Sequence, residues 1–293
     1  MLNQKQLRGS AVSLNYVESP AGGPALLLLH GLTQRWQAFL PVMPHLTQTH
    51  RVLAPDLRGH GLSARVHEGY RGEDYSQDIL EFMDDVVREP VVIFGHSLGG
   101  MVGVYVAGCR PELVRGLIVG DSKLFFRSLN GTIYGEMFEK TLALLRESSE
   151  YEFLRKRIPE MVLHSPVYGE VMMKSLPGCD EPYLNAWARS LSCMDSSALE
   201  MTLDGRAAEN WRPEEFLPKV KCPTLLMQAD PQLGALMTDE GVRQARELLP
   251  NSQHVCLQGV GHSLHIYQAA PVVRAVSNFL CGLGWSGWTV HSK

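Results

Sequence analysis

Short apolar runs recur along the chain and alternate with patterns typical of helices. The longest purely aliphatic run is Ala25–Leu29, and the other candidate strands are 11–17, 51–54, 91–94, 116–119, 224–227 and 254–257. Helices are predicted over 75–87, Leu98–Cys109, 239–249 and 271–280. Most of the runs are apolar throughout rather than alternating, which is typical of parallel strands with helices on both faces. The sequence therefore predicts an α/β fold with a mostly parallel sheet.

The alternation stops between residues 122 and 212, where no strand-like run is found. Six of the twelve methionines fall in this stretch, together with apolar residues at helical spacing. Flexible thioethers suit an adaptable surface such as a pocket roof, although they also fill ordinary helical cores. We therefore expect a core domain made of residues 1–121 and 213–293, interrupted by a helical insertion over 122–212.

Composition argues against several classes of protein. The net charge is −4 and the basic residues are scattered, so the sequence shows no basic patch that would indicate nucleic acid binding. The apolar runs are far too short to span a bilayer, and the first ten residues do not form a secretory signal. The six dispersed cysteines are typical of buried, reduced thiols in an intracellular protein. We expect a soluble, cytoplasmic protein with a small-molecule substrate and no membrane partner; the sequence leaves the oligomeric state open.

A candidate nucleophile lies at the end of one apolar run. The stretch Gly95-His96-Ser97-Leu98-Gly99 has the pattern G-x-S-x-G, follows a predicted strand and begins a predicted helix. Glycines on both sides allow a sharp turn that brings the serine hydroxyl to the carboxyl edge of the sheet, beside a helix N-terminus. This context indicates that Ser97 is a nucleophile.

A serine nucleophile needs a base to remove its proton. His262 lies in Gly259-Val260-Gly261-His262-Ser263, just after the last predicted strand, where a side chain can reach the same edge of the sheet. His96 is adjacent to Ser97 but points elsewhere on such a turn, and His265 is expected to be structural. His262 is therefore the candidate base, and activity should fall on acidification because the base must be neutral.

Two aspartates are candidates for the acid that orients the histidine. Asp230 follows the predicted strand 224–227 and gives the chain order Ser, Asp, His, which is usual for this arrangement. Asp121 follows the preceding predicted strand and is the alternative acid, unless it caps the turn into the insertion. The sequence favours Asp230 and leaves Asp121 open.

Attack on a carbonyl creates an oxyanion, which needs hydrogen-bond donors. The N–H of Leu98, directly after the nucleophile, is one candidate donor. The other is the N–H of Leu32, because His30-Gly31-Leu32 follows Ala25–Leu29 and reaches the same edge of the sheet. We therefore predict an oxyanion hole formed by Leu32 and Leu98.

The combination LLLLHGL, APDLRGHGLS, FGHSLGG, PTLLMQAD and GVGHS resembles the α/β-hydrolase superfamily over essentially the whole chain. The resemblance implies an eight-stranded sheet, a helical cap over residues 122–212 and a Ser-His-acid triad at Ser97, His262 and Asp230. The acid often lies several residues beyond its strand in this superfamily, whereas Asp230 follows almost at once. Epoxide hydrolases and haloalkane dehalogenases of the superfamily use an aspartate nucleophile, so Ser97 argues against both activities.

These observations predict a serine hydrolase of the carboxylesterase type that cleaves small to medium, largely apolar esters or lactones through an acyl-enzyme. Carbon–carbon bond hydrolases and cofactor-free haloperoxidase-like perhydrolases use the same triad and are the alternatives among enzymes. A small-molecule receptor with residual hydrolase activity is the alternative from another class, and it would combine tight binding with very slow turnover. No P-loop, HExxH motif or Cys/His cluster is present in the sequence, so we expect neither a cofactor nor a metal.

Overall fold

The computed structural model describes residues 2–20, 22–126, 129, 131–165 and 167–284. Its strands are β1 (Asn3–Arg8), β2 (Ser13–Glu18), β3 (Ala25–Leu29), β4 (Arg51–Pro55), β5 (Val91–His96), β6 (Val114–Gly120), β7 (Val162–Ser165), β8 (Gly169–Met172), β9 (Thr224–Gln228) and β10 (Ser252–Cys256). Eight of them form one sheet in the order β1-β2-β4-β3-β5-β6-β9-β10. Only β2 runs antiparallel to its neighbours, β1 and β4. The predicted mostly parallel, eight-stranded sheet is confirmed.

The α-helices occur throughout the chain, and most of those outside the insertion connect parallel strands. They are α1 (Met43–Leu46), α2 (Gly72–Phe82), α3 (Leu98–Cys109), α4 (Ile133–Glu147), α5 (Tyr151–Arg157), α6 (Glu181–Leu191), α7 (Ser196–Leu203), α8 (Pro213–Phe216), α9 (Asp239–Leu248), α10 (Leu264–Tyr267) and α11 (Ala269–Gly282). Strand β3 and helix α3 have the predicted bounds. The helix predicted over 75–87 is observed as α2 followed by a π-helical turn, Met83–Val87, and the other predicted elements are observed with small shifts at their ends.

The aliphatic runs are explained by helices that cover both faces of the sheet. All five residues of β3 are fully buried. Leu27 and Leu29 belong to the core that contains residues of α2 and α3, whereas Leu26 and Leu28 pack with residues of α1 and α11 on the other face. Because successive side chains of a strand point to opposite faces, both sets must be apolar.

Two kinds of strand were not predicted. Strand β1 has the sequence NQKQLR and is largely exposed at the edge of the sheet, so it carries no hydrophobic pattern. Strands β7 and β8 form an antiparallel hairpin of four residues each between β6 and β9. This hairpin corrects the expectation that no strand lies within 122–212.

The segment between β6 and β9 lies outside the large sheet. Residues 122–212, which we call the insertion, contain α4 to α7 and the β7–β8 hairpin, with α4 packed on α7 and on β7. The division into a core of 1–121 and 213–293 with a separate insertion remains a prediction. The last nine residues of the predicted core domain, 285–293, lie outside the described part of the chain.

Three further features concern the expectations about membranes, metals and thiols. Within the described ranges, no helix is long and apolar enough to cross a membrane. In the same ranges, no group of three or more His, Cys, Asp or Glu side chains could hold a metal ion. The six cysteines are free, and Cys109 and Cys281 are exposed, which corrects the expectation that the thiols are buried.

Candidate functional site

Ser97 lies at the sharp turn between β5 and α3. Its φ of 52° and ψ of −115° place a residue with a side chain outside the usual regions of backbone space. The Ser97 N–H donates to the carbonyl oxygen of Gly120, at the end of the neighbouring strand β6, over 2.9 Å. The side chain of Ser97 makes no capping hydrogen bond to α3 and lines a cavity at the carboxyl edge of the sheet.

The two glycines of the G-x-S-x-G motif are required by packing. A Cβ on Gly95 would overlap the carbonyl group of Gly99, and a Cβ on Gly99 would overlap the carbonyl oxygen of Leu29 on β3. Any larger residue would therefore push α3 away from the sheet. The motif holds Ser97 in place by allowing this close contact between helix and strands.

His262 lies in the loop between β10 and α10 and is bonded to a carboxylate. Its Nδ1 donates to Oδ2 of Asp121 over 2.7 Å, and its side chain is 14% exposed while that of Asp121 is fully buried. A carboxylate can only accept here, so Nδ1 donates, and in the neutral imidazole Nε2 carries the lone pair. His262 and Ser97 line the same cavity.

Asp121 directly follows β6 and is held by backbone donors. Its Oδ1 accepts from the N–H groups of Ala229 and Met237 at 3.2 and 3.1 Å, and Oδ2 accepts from the N–H of Leu236 at 2.9 Å. These three donors and His262 compensate the desolvation of a buried carboxylate. Asp121 is therefore fixed in a single orientation toward His262.

The structure corrects the expectation that Asp230 is the acid next to His262. The carboxylate of Asp230 accepts instead from the N–H of Gln232 at 2.9 Å and from the N–H of Gly259 at 2.7 Å. Asp230 is the N-cap of the turn that begins at Pro231, so its oxygens are directed to the backbone of its own loop and of the loop preceding His262. The alternative acid, Asp121, makes the contact with His262.

The loop that follows β3 lies against Ser97. A Cβ on Gly31 would lie 3.2 Å from Cβ of Ser97, and Leu32 lines the cavity with Ser97. Leu98 is the first residue of α3, so its N–H is among those without a partner inside the helix. The structure thus brings both predicted oxyanion residues close to Ser97, and their role as donors remains a proposal.

Backbone strain is concentrated at this site. Among the described residues, four non-glycine residues have a positive φ: Thr33, Arg88, Ser97 and Asp121. Thr33 and Ser97 line the cavity and Asp121 contacts His262, whereas Arg88 follows a helix end, where this conformation is common. Strained residues persist only where the surroundings hold them, and they cluster at functional sites.

Four histidines in the core of the chain, His30, His60, His96 and His265, are buried. Nε2 of His96 donates to the carbonyl oxygen of His262 over 2.9 Å, so His96 supports His262 rather than replacing it. Burial holds the pKa of His96 well below its usual value and lowers the pKa of His265 to about 3. Burial also lowers the pKa of His30 to about 4 and of His60 to about 3. These four histidines are neutral at physiological pH.

The lowered pKa values of these four histidines predict that the folded protein loses stability on acidification. Each histidine must gain a proton in the unfolded state below its usual pKa of about 6.5, but not in the folded state. The free energy of unfolding should therefore fall as the pH drops from about 6.5 toward 4, by up to about 1.4 kcal/mol per pH unit for each histidine. Urea unfolding at several pH values measures this slope.

His265 offers a control for that prediction. Neither of its ring nitrogens has a hydrogen-bond partner among the described residues, and the ring stacks on Phe39 with centroids 4.5 Å apart. His265→Leu should remove one histidine's share of the slope, since leucine does not titrate. A slope unchanged by the substitution, or stability independent of pH in this range, would contradict the prediction.

The cavity beside Ser97 and His262 has a volume of about 240 Å³. The insertion supplies much of its wall through α4, α6 and the hairpin, including Tyr134, Met137 and Trp187. No Lys, Arg, Asp or Glu is found among the described residues that line it. The arrangement is suited to an uncharged, largely apolar molecule next to a serine and a histidine.

Comparison with known proteins agrees with this fold. The model of the alpha/beta hydrolase family matches residues 26–275 of the chain. A mostly parallel eight-stranded sheet with helices on both faces is the fold of the same class of protein. The chain belongs to the alpha/beta hydrolase family.

Relatives with different names share parts of the chain. It is 36% identical over 110 residues to 2-(acetamidomethylene)succinate hydrolase of Mesorhizobium japonicum, which is 38% of this chain and 39% of that protein. It is 31% identical over 161 residues to epoxide hydrolase 4 of Mus musculus, 54% of this chain and 43% of that protein. Both matches thus span less than half of the relative's length.

A solved structure is similar over nearly the whole chain. The enol-lactonase from Burkholderia xenovorans LB400 has a TM-score of 0.73 and 19% sequence identity, over 94% of this chain and 100% of that one. At this identity the similarity concerns the fold alone.

Several residues of the site were not predicted from the sequence. Thr33 and Gln34 lie in the loop after β3, and Tyr134 and Trp187 come from the insertion. No local pattern marks these four residues. The sequence did contain a signal that Asp230 is an N-cap. An aspartate directly before a proline is typical of a helical N-cap followed by the first position of the turn.

Proposed function

We propose that this chain is a serine hydrolase that cleaves uncharged, small to medium, largely apolar carboxylic esters or lactones through an acyl-enzyme. The observation that carries the proposal is the 2.7 Å hydrogen bond between Asp121 and His262, beside a cavity that Ser97 also lines. The strained conformation of Ser97 supports the assignment as nucleophile, and the insertion is proposed to act as a cap over the cavity.

In the proposed reaction, Oγ of Ser97 attacks the carbonyl carbon of the ester while Nε2 of His262 takes the hydroxyl proton. The N–H groups of Leu32 and Leu98 stabilise the resulting oxyanion. The carbon–oxygen bond to the leaving alcohol then breaks, and His262 returns the proton to that alcohol. Water attacks the acyl-enzyme with His262 again as base, which releases the acid and restores Ser97. Asp121 keeps His262 in the reactive tautomer and stabilises its charged form.

Labelling with a fluorophosphonate tests the nucleophile directly. We expect intact-mass analysis to show a single adduct, which peptide mapping assigns to Ser97, and no adduct in Ser97→Ala. The reagent forms a stable phosphonyl ester with an activated serine and releases fluoride. An unlabelled protein, or an adduct on another residue, would refute the proposed function.

The charge of the substrate provides a second test. We expect kcat/KM to be at least about 100-fold higher for p-nitrophenyl butyrate than for p-nitrophenyl hydrogen succinate, which has the same chain length and a terminal carboxylate. The described cavity wall offers no cation to that carboxylate, and burying an unpaired charge costs several kcal/mol.

A neutral analogue separates charge from size in this comparison. The p-nitrophenyl methyl diester of succinic acid is larger than the acid but uncharged, so its kcat/KM should be well above that of the acid. Equal rates for the butyrate and the acid would show that the cavity accepts anions. This outcome would contradict the proposed substrate class and would leave the assignment of Ser97 unchanged.

A further inference from the structure

A buried hydrogen bond joins the insertion to the loop that carries Leu32. Nε1 of Trp187, on α6, donates to Oγ1 of Thr33 over 3.0 Å. Trp187 is 4% exposed and Thr33 is 5% exposed, so water does not replace either partner. The two residues are 154 positions apart in the sequence, and the bond therefore depends on how the insertion is seated.

Thr33 needs such a contact because its backbone is strained. Its φ is 66°, which is unusual for a β-branched residue and costs about 1–3 kcal/mol. Within the loop, the N–H of Gly31 donates to Oε1 of Gln34 over 3.2 Å, and the N–H of Gln34 donates to the carbonyl oxygen of Gly31, also over 3.2 Å. These bonds tie the loop's two ends together, whereas the bond from Trp187 fixes the loop from outside.

The conformation of Thr33 matters because Leu32 is its neighbour. A rotation of the backbone at Thr33 would turn the preceding peptide units, including the N–H that we assign to the oxyanion. Donors of this kind must be aimed at the developing charge before the reaction, since reorganisation during the reaction raises the barrier. The close approach of Gly31 to Ser97 leaves little room for adjustment.

We infer that Trp187 is a positioning residue that holds the oxyanion loop in its working conformation through Thr33. The insertion then contributes to transition-state stabilisation as well as to the wall of the cavity. This inference rests on the proposed function, because it assumes that Leu32 serves an oxyanion formed at Ser97.

Two substitutions remove the hydrogen bond from opposite sides. Thr33→Val keeps the shape of the side chain and its β-branch but removes the acceptor, and Trp187→Phe removes the N–H. We expect each to lower kcat for a p-nitrophenyl ester about 10-fold to 100-fold, part of the loss caused by deleting an oxyanion donor. For Thr33→Val, KM should change less than kcat, and the pH profile should be unchanged because His262 is untouched. The double variant should be no slower than the slower single variant.

Two controls separate positioning from general damage. Thr33→Ser keeps the hydroxyl and should retain most of the activity. Trp211→Phe removes an equivalent indole N–H, which donates to the carbonyl oxygen of Leu124 within the insertion and outside the cavity. This variant should lose stability but keep kcat. If Thr33→Val fails to fold, the comparison of Trp187→Phe with Trp211→Phe carries the same test.

A trifluoromethyl ketone that matches the ester gives a readout specific to the oxyanion. Oγ of Ser97 adds to the carbonyl carbon of this ketone and forms a charged hemiketal. The Ki of the ketone should therefore rise in Thr33→Val by the same factor by which kcat/KM for the ester falls. The Ki of the corresponding methyl ketone should stay within about twofold. Wild-type kcat in both single variants, or a loss in KM alone with an unchanged Ki, would overturn the inference. Labelling of Ser97 in the wild type would leave the proposed function intact in that case.

Discussion

Ser97→Ala is expected to lower kcat for p-nitrophenyl esters by about 10⁴-fold or more, because it removes the proposed nucleophile. The residual rate should come from the oxyanion donors and from binding alone. Substrate binding should persist, since the substitution removes one oxygen atom from a cavity lined mostly by apolar residues. Steady-state kinetics with the purified variant, beside the wild type, measures the loss.

A buried serine elsewhere provides the matched control. Ser277 on α11 is 2% exposed, and within the part of the chain that the structure describes its hydroxyl has no hydrogen-bond partner. Ser277→Ala should keep wild-type kcat and equal or greater stability, because it removes an unsatisfied buried polar group. Ser97→Ala should also melt close to the wild type, as alanine at this turn has the same backbone strain as serine. A folded Ser97→Ala protein with more than a tenth of the wild-type kcat would contradict the proposed mechanism.

Asp121→Asn is expected to lower kcat by about 10³ to 10⁴-fold. An amide at this position either presents its NH₂ group to His262 or keeps one carbonyl oxygen for several donors. In the first case the proton of His262 moves to Nε2, and the ring can no longer accept the proton of Ser97. The same kinetic assay measures the effect, with the melting temperature as a check on folding.

Asp230→Asn is the matched comparison, because the two aspartates are both buried and both follow strands. Asp230 accepts from the N–H groups of Gln232 and Gly259, whereas His262 is bonded to Asp121. Its substitution should therefore lower stability by about 1–3 kcal/mol and leave kcat within about tenfold of the wild type. The reverse result, with Asp230→Asn inactive and Asp121→Asn active, would restore Asp230 as the acid.

The positions of the inner strands could be predicted because helices cover both faces of the sheet. Such strands must be apolar at every position, so Ala25–Leu29 was predicted with the bounds that the structure has. The edge strand β1 has no such requirement, and its residues are paired to β2 by backbone hydrogen bonds that leave no trace in hydropathy. The short strands of the insertion, β7 and β8, are missed for the same reason.

The carboxylate that bonds His262 could not be chosen from the sequence. Asp121 and Asp230 both lie just after parallel strands, and both precede His262 in the chain. Strand β6 lies between β5 and β9, so Asp121 ends next to Ser97, and its carboxylate is turned toward His262 by backbone donors from the 229–237 loop. The proline after Asp230 is the one local sign that its side chain caps a turn.

What the sequence alone determines is the turn that carries Ser97, together with the alternation of strands and helices around it. These features follow from the local pattern of glycines and apolar residues, since Gly95 and Gly99 are needed where α3 packs against β5 and β3. The tertiary structure decides which residues meet Ser97. Asp121 and His262 are 141 positions apart, and Thr33 and Trp187 are 154 apart. Contacts between residues so far apart in the sequence depend on the order of the strands and on where the insertion packs. No local sequence pattern encodes either of these.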